Sequence, residues 1–224
     1  MNITKRVTLA LTAGLAFALS SPMAQSDAIF DITDDSTYSW TWNGDLTLGY
    51  RFTVDDALTF NALAVYDVQT ASHLGTPHTN AVGLNASHDV AVWDSAGLLV
   101  ASATVDPGDA TWTSSNSVGN WVYEQINEDT VTLTAGVYRV GAFYAGNSDS
   151  VMVQQTVINN LPGVNYNVGM YHYGSTLTAQ TGTYSPNEEQ YFGPSILMVP
   201  EPTTLALLAL GLAGFGFRAR KKLN

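Results

Sequence analysis

Leu46-Thr-Leu-Gly-Tyr-Arg-Phe-Thr-Val54 is the stretch of sequence that decides the fold class of this chain. Large apolar side chains occupy every second position in it, and small or polar residues lie between them. Successive side chains of an extended strand point to opposite faces, so this period predicts a β-strand with one face on a hydrophobic core.

The same alternation returns along the rest of the chain, and turn residues separate the stretches. It predicts strands over 58–66, around 90–92, and over 98–105, 121–126, 131–134, 137–144, 151–158 and 191–198. Asp94-Ser-Ala-Gly97 marks the clearest hairpin, and Asp106-Pro-Gly108 marks another turn. Many short strands divided by turns predict one all-β domain over 29–199, an antiparallel β-sandwich of jelly-roll-like kind.

Charge is distributed unevenly over the 224 residues. The whole chain has 8 Lys or Arg, 19 Asp or Glu and no Cys, for a net charge of −11. Residues 29–199 keep only Arg51 and Arg139 against 17 carboxylates, a formal charge of −15. Nucleic acids and anionic membrane surfaces are bound by clustered Lys and Arg, so neither is expected to bind this domain. The lack of Cys excludes disulfides and thiolate chemistry.

The N-terminus has the three parts of a secretory signal peptide. Lys5 and Arg6 precede an apolar run over 7–19, and small residues follow. We therefore expect a signal peptide over 1–28, removed by signal peptidase after Ala24 or Ala28. Ala28 is preferred, because a small residue lies two positions before it, whereas a proline lies there before Ala24.

The C-terminus also has three parts. Pro200-Glu201-Pro202 is followed by an uncharged apolar run over 203–217 and then by a basic end formed by Arg218, Arg220, Lys221 and Lys222. The run predicts a short membrane helix, and the basic end holds it with the large domain outside the cytoplasm. The membrane is therefore expected to be a partner of the terminal segments only.

This tripartite tail, 200–224, resembles the PEP-CTERM sorting signal of Gram-negative bacteria. The resemblance implies recognition by an exosortase, a membrane transpeptidase thought to cut near the motif. The protein would then be transiently anchored in the inner membrane and afterwards released or attached at the cell envelope or in the extracellular matrix.

The domain itself has a second, broader resemblance. Residues 88–104, 131–142 and 48–67 are similar to segments of an uncharacterised β-sandwich family of secreted bacterial proteins, many of which end in the same sorting signal. Its shared motifs are strand and turn patterns, so the resemblance implies a fold and no activity.

Histidines and carboxylates give two hypotheses about metals. His73, His78 and His88 flank one polar stretch at spacings that match no compact metal motif, with His172 far downstream, so a solvated loop is favoured over a metal site. Acidic clusters lie at 31–35, 106–109 and 128–129. They could bind calcium, which prefers oxygen ligands. The alternative is that they serve solubility and turn formation. Calcium is thus a cofactor hypothesis without assigned ligands.

Aromatic side chains suggest a carbohydrate-binding face. Tyr38, Trp40 and Trp42 alternate and would share one face of a strand, either in the core or as a stacking platform. Tyrosines over 166–184 lie among Asn, Gly, Ser and Thr, a composition suited to sugar rings.

Catalytic motifs are missing from the sequence. Gly-x-Ser-x-Gly and a phosphate-binding Gly-Lys-Ser/Thr loop are absent, and Glu188 and Glu189 would point to opposite faces of a strand. Arg51 and Arg139 are expected to pair with carboxylates.

The sequence therefore predicts an exported, non-catalytic structural or adhesive protein of the cell envelope or exopolysaccharide matrix. The alternative is a carbohydrate-binding module for exopolysaccharide, assisted by calcium. A glycoside hydrolase or other hydrolase is the third hypothesis.

Overall fold

The structure is a computed structural model that describes the domain and not the two ends of the chain. The described residues are 27–32, 38–40, 44–69, 83–114, 119–126, 130–146, 149, 151–154, 158–184 and 190–198, and side chains are not described at 27, 38–40, 151–159 and 190–191. All of them fall in one compact unit, Ser26–Val199. The sorting signal over 200–224 lies outside them, and so does the predicted signal peptide over 1–28 except for Asp27 and Ala28, which form a strand.

Strands are the regular elements of the described chain, which contains no helix. In chain order they are β1 Asp27–Ala28, β2 Phe30–Ile32, β3 Tyr38–Trp40, β4 Leu46–Val54, β5 Leu58–Phe60, β6 Ala62–Val68, β7 His88–Asp94, β8 Leu99–Val105, β9 Ala110–Thr113, β10 Gly119–Gln125, β11 Val131–Leu133, β12 Gly136–Tyr144, β13 Val151–Gln154, β14 Ile158–Asn160, β15 Val164–Tyr173, β16 Gly182–Thr183, β17 Gln190–Phe192 and β18 Pro194–Met198. Within the described ranges, no helix has the length and apolarity needed to cross a membrane.

Two main sheets carry the architecture. One has the strand order β16-β15-β4-β12-β7-β8, and the other has the order β1-β18-β6-β10-β9. Three smaller sheets pair β11 with β5, β14 with β2, and β13 with both β17 and β3. Every pairing between described strands is antiparallel. The prediction of an all-β antiparallel fold is confirmed.

Buried side chains of both main sheets form a single hydrophobic core. Its centre is a group of rings contributed by β2, β4, β15 and β17, namely Phe30, Tyr50, Phe52, Tyr166 and Phe192. The rings of Phe30 and Tyr50 meet edge to face with centroids 5.2 Å apart. Such pairs stabilise a core by about 0.5–1.5 kcal/mol beyond the apolar area that they bury.

A strap over residues 174–181 covers the outer face of the six-stranded sheet. The Thr178 N–H donates to Oγ1 of Thr47 at 3.1 Å, and Nε2 of Gln180 donates to the carbonyl of Val140 at 3.0 Å. The Gln180 side chain is fully buried and lies against Gly49 and Gly141, where a Cβ would overlap it. The first five residues of β4, 46–50, are consequently buried on both faces, whereas Arg51 and Thr53 are half-buried.

The predicted strands differ from the observed ones in two ways. The predicted stretches 58–66, 151–158 and 191–198 are each divided into two strands. Strand β15, the longest of the described strands, was not predicted from the sequence, because its Asn, Gly and Tyr residues are typical of loops. A bulge between Tyr166 and Val168 also shifts its alternation.

We expect Gly49→Ala to lower the free energy of unfolding by about 1–3 kcal/mol, as overpacking does. The added Cβ would overlap the backbone oxygen of Val140, which cannot move independently of the sheet. Gly141→Ala overlaps the flexible Gln180 amide instead, so combining it with Gln180→Ala should cost less than the two single variants added together.

Denaturant unfolding measures these differences, and Gly108→Ala is the matched control because nothing lies within 4 Å of its Cβ position. Equal losses for Gly49→Ala and Gly108→Ala would contradict this description of the sheet.

Candidate functional site

Titratable side chains from both main sheets meet at the ends of three strands. His88 begins β7, Tyr144 ends β12 and Asp67 lies one residue before the end of β6. Asp149 comes from the connection after β12 and lies against His88. We call these four residues the polar cluster. His88, Asp67 and Asp149 are all buried, which is unusual for ionisable groups.

Asp149 is held by four hydrogen bonds. Its Oδ1 accepts from the Asn85 N–H at 2.7 Å and from the Asn85 side-chain amide at 2.9 Å. Its Oδ2 accepts from the Ala86 N–H at 2.9 Å and lies 2.9 Å from Nε2 of His88. Three N–H groups from two neighbouring residues thus donate to this one carboxyl group.

His88 is bonded through both ring nitrogens. Nδ1 lies 2.9 Å from the carbonyl oxygen of Phe143, which can only accept, so Nδ1 carries a proton. Nε2 lies 2.9 Å from Oδ2 of Asp149, within hydrogen-bonding distance. This buried contact joins the start of β7 to the connection after β12.

Tyr144 covers the imidazole ring. The two ring centroids lie 4.6 Å apart with the ring planes tilted by 51°, so the phenol packs against the imidazole. Burial raises the pKa of the Tyr144 hydroxyl, and the negative charge of Asp149 raises it further. The phenol therefore stays neutral and adds no charge to the polar cluster.

Asp67 is a second buried carboxyl group beside the contact between His88 and Asp149. Burial raises its pKa, a hydrogen bond from Gln69 opposes the shift, and the charge of Asp149 adds to it. Its Oδ1 is buried and has no hydrogen-bond partner. The Tyr144 hydroxyl is the other buried polar atom of the polar cluster without a hydrogen-bond partner among the described residues.

The hydrogen bonds of the polar cluster suit it to holding strands together. A metal ligand or general base needs a free imidazole lone pair, and neither nitrogen of His88 has one. The favoured interpretation of His88 as part of a solvated loop is wrong, because the residue is fully buried in β7. The signal that was missed is its place at the start of an apolar alternating stretch.

Of the other histidines the structure describes His172, which has a different partner. His172 lies on β15, where its Nδ1 is 3.2 Å from Oγ1 of Thr181. His73 and His78 lie outside the described residues. In the described part of the chain, no three His, Cys, Asp or Glu side chains converge as a metal site would require.

The acidic residues considered for calcium have other partners where they are described. Oδ1 of the buried Asp31 accepts from the Ser114 hydroxyl at 2.6 Å and from the Trp121 indole at 3.0 Å. In the turn after β8, the Asp106 N–H donates to Asp109, and Asp106 accepts from Ser87. The remaining carboxylates of the clusters, Asp34, Asp35, Glu128 and Asp129, lie outside the described residues.

Aromatic residues are exposed at the end of β15. Tyr173 is 62% exposed and packs on Tyr171, with ring centroids 5.3 Å apart. Tyr171 packs in turn on Tyr184 at 4.8 Å. We call these three rings the tyrosine stack. Tyr166 belongs to the core instead.

The first proposed stacking platform is described only in part. Tyr38 and Trp40 lie in β3, which pairs with β13, but their side chains are not described. Trp42 lies outside the described residues, so the choice between core and platform stays a prediction.

Among the described residues, the expected pairing of the two arginines with carboxylates is not found. Arg139 donates from its two terminal nitrogens to the carbonyls of Gln180 and Ser95, at 3.3 and 3.2 Å. Arg51 makes no ion pair with any described residue.

Comparison with protein families finds one match, the PEP-CTERM protein-sorting motif, at residues 199–221. The chain therefore carries this sorting motif, and the predicted sorting residues Pro200, Glu201, Pro202, Arg218, Arg220 and Lys221 fall within it; Lys222 follows directly. All of them lie outside the described residues. The motif implies export, processing by an exosortase and sorting to the cell surface. No curated protein and no solved structure matches the chain, so the resemblance of the domain to a secreted β-sandwich family stays a prediction.

We expect His88→Leu to lower the free energy of unfolding by about 3–5 kcal/mol, because it removes the His88 partner of the buried Asp149 carboxyl group. Denaturant unfolding measures the loss. His172→Leu is the matched control, since that imidazole makes a single surface hydrogen bond, and its effect should stay within about 0.5 kcal/mol. Equal effects of the two variants would show that the contact between His88 and Asp149 does not hold this end of the domain.

Proposed function

We propose that the protein is a non-catalytic structural or adhesive component of the cell surface, held in the envelope or in its exopolysaccharide matrix. The observation that carries the proposal is the sorting motif that follows an exported β domain. An exosortase and signal peptidase are its partners during export. The C-terminal segment serves as a transient anchor in the inner membrane.

The chemistry of the described residues supports a structural role. The most conspicuous ionisable group, the polar cluster, uses His88 and Asp149 to join two strand ends. Both are buried and have their hydrogen-bonding atoms occupied by the protein. The cluster stabilises the fold and presents no reactive group to a substrate.

Changing Pro200 and Glu201 to Ala together should leave an uncleaved precursor in the inner membrane. The two prolines make the motif rigid and extended, and the carboxylate between them is its one charge. Membrane fractionation with an immunoblot measures the size and place of the protein. The control pairs Pro107→Ala with Glu124→Ala, the same two changes at exposed positions of the domain.

Normal processing of the Pro200/Glu201 variant would contradict sorting through this motif. Accumulation of the control variant as a precursor would show that the effect comes from the fold of the domain instead.

A second candidate function is supported by the tyrosine stack, whose outer ring, Tyr173, is largely exposed. Flat exposed rings beside polar residues suit binding to the apolar faces of sugars. In this version of the proposal the domain is a carbohydrate-binding module that recognises exopolysaccharide, with calcium assisting.

Tyr173→Ala should then reduce binding of the exported protein to the cell's own exopolysaccharide, measured by co-sedimentation with and without calcium. Tyr123→Ala, on the opposite sheet, is the matched control. If Tyr173→Ala and Tyr123→Ala bind as wild type does, the tyrosine stack is not a sugar site.

A further inference from the structure

A row of residues crosses the outer face of the six-stranded sheet. Arg51 on β4 lies directly opposite Arg139 on β12, Arg139 lies opposite Trp93 on β7, and Trp93 lies opposite Leu99 on β8. Directly opposed residues of antiparallel strands point to the same side. Since Tyr50 of β4 points into the core, Arg51 and its row point away from it.

The row concentrates the positive charge of the domain. Arg51 and Arg139 are the only basic residues over 29–199, yet they are direct neighbours, an arrangement that destabilises a sheet. Arg139 donates to two backbone carbonyls, and Arg51 has no ion pair or hydrogen bond with any described residue. Among the described residues, neither guanidinium therefore has a carboxylate partner.

Exposed apolar side chains surround these arginines. Among the described residues four large hydrophobic side chains are exposed, and three of them belong here: Leu98 at 67%, Leu99 at 60% and Val137 at 37%. Val137 lies two residues before Arg139 on β12, and Leu98 precedes Leu99 in the hairpin. Arginine beside exposed aliphatic side chains is the composition of a protein–protein contact.

The same face carries negative charge at its other end. Asp89 is exposed on β7 and points to the same side as Trp93, four residues further on, which is about 13 Å along a strand. That separation is too long for an ion pair with Arg139 in the same chain. One oxygen of Asp89 accepts from the Thr104 hydroxyl at 2.7 Å, which leaves the other for an incoming donor.

We propose that this outer face is the contact between two copies of the chain, related by a two-fold axis. A two-fold contact places each part of a surface against a different part of the same surface in the partner. The Arg51–Arg139 end of one copy then meets Asp89 of the other copy. The two-fold axis produces the same contact a second time with the two copies exchanged, and the Leu98 and Leu99 side chains cover the contact. Opposite charges meet at both ends.

Charge and shape favour a second copy over an acidic polysaccharide. Sugar rings stack on exposed aromatic planes, whereas Trp93 is buried in this row and its exposed side chains are aliphatic. The copy also supplies the matching carboxylate at a fixed place, Asp89.

This inference rests on the proposed structural role, because self-association joins surface proteins into a layer. The self-association proposal and the sorting proposal fail in different ways. Loss of self-association would leave processing and surface retention unchanged, whereas failure of sorting would leave self-association intact.

Two differently tagged copies of the full-length chain, co-expressed and purified through one tag, test the contact. We expect the second copy to co-purify, and Arg51→Glu in both copies or Asp89→Lys in both copies to weaken association by roughly tenfold or more. A pair of one Arg51→Glu copy with one Asp89→Lys copy should associate again, since each contact then joins opposite charges. Only a contact between chains can be rescued by mixing.

Leu99→Ser in both copies is an independent variant, at a side chain too exposed to affect folding, and should also reduce co-purification. Glu124→Lys in both copies, the same charge change on the other sheet, should leave it unchanged. Wild-type copies that do not co-purify, or association unaffected by Arg51→Glu and Asp89→Lys, would overturn the proposal. So would a chain that does not self-associate but binds polygalacturonate through Arg51.

Discussion

The burial of β4 on both faces, over residues 46–50, is the constraint on which the rest of the structure depends. Its inward face places Tyr50 and Phe52 among the rings of Phe30, Tyr166 and Phe192, which come from three other strands. Its outward face has Thr47 and Gly49 beneath the 174–181 strap. The inward face of the strand therefore packs both main sheets on one core. Its outward face holds the strap, and the position of the strap decides which part of the outer face stays exposed.

The strap divides that outer face into two chemically different ends. It bonds to Thr47, Val140 and Arg139, and reaches the β7–β8 hairpin, where Ala179 lies close to Gly97. Arg51 makes no contact of this kind with it, and Asp89 lies exposed at the start of β7. A surface with separated opposite charges is suited to pairing with a copy of itself.

The contact between His88 and Asp149 stabilises another part of the domain, where β7 begins. Buried charges contribute little net stability when they replace apolar packing, but removing one partner is costly. Such a pair fixes where the connection after β12 meets the start of β7. The polar cluster thus organises the fold near its connections, and the neighbouring carboxyl of Asp67 stays protonated more readily than usual because it is buried.

The sequence predicts local features of this fold well and remote contacts poorly. The alternation over 46–54 predicts β4 and the side chains that face the core, and Asp94-Ser-Ala-Gly97 predicts the hairpin, in which Gly97 has a φ of +83°. Strand β15 was missed because its composition is typical of loops and its bulge interrupts the period.

Contacts between distant residues leave no such pattern in one sequence. His88 and Asp149 are 61 residues apart, and Asp149 lies among Asn and Ser residues that have no period. The pairing of Arg51 with Arg139 also depends on register alone. The sorting motif was predictable because its parts are contiguous.

The most direct test of the account is mass spectrometry of both termini of the protein recovered from the cell surface. Sorting as a mature surface protein predicts an N-terminus at residue 25 or 29 and the loss or replacement of the chain beyond the Pro200-Glu201-Pro202 motif. Surface protein that still carried the basic end over 218–222 would contradict it.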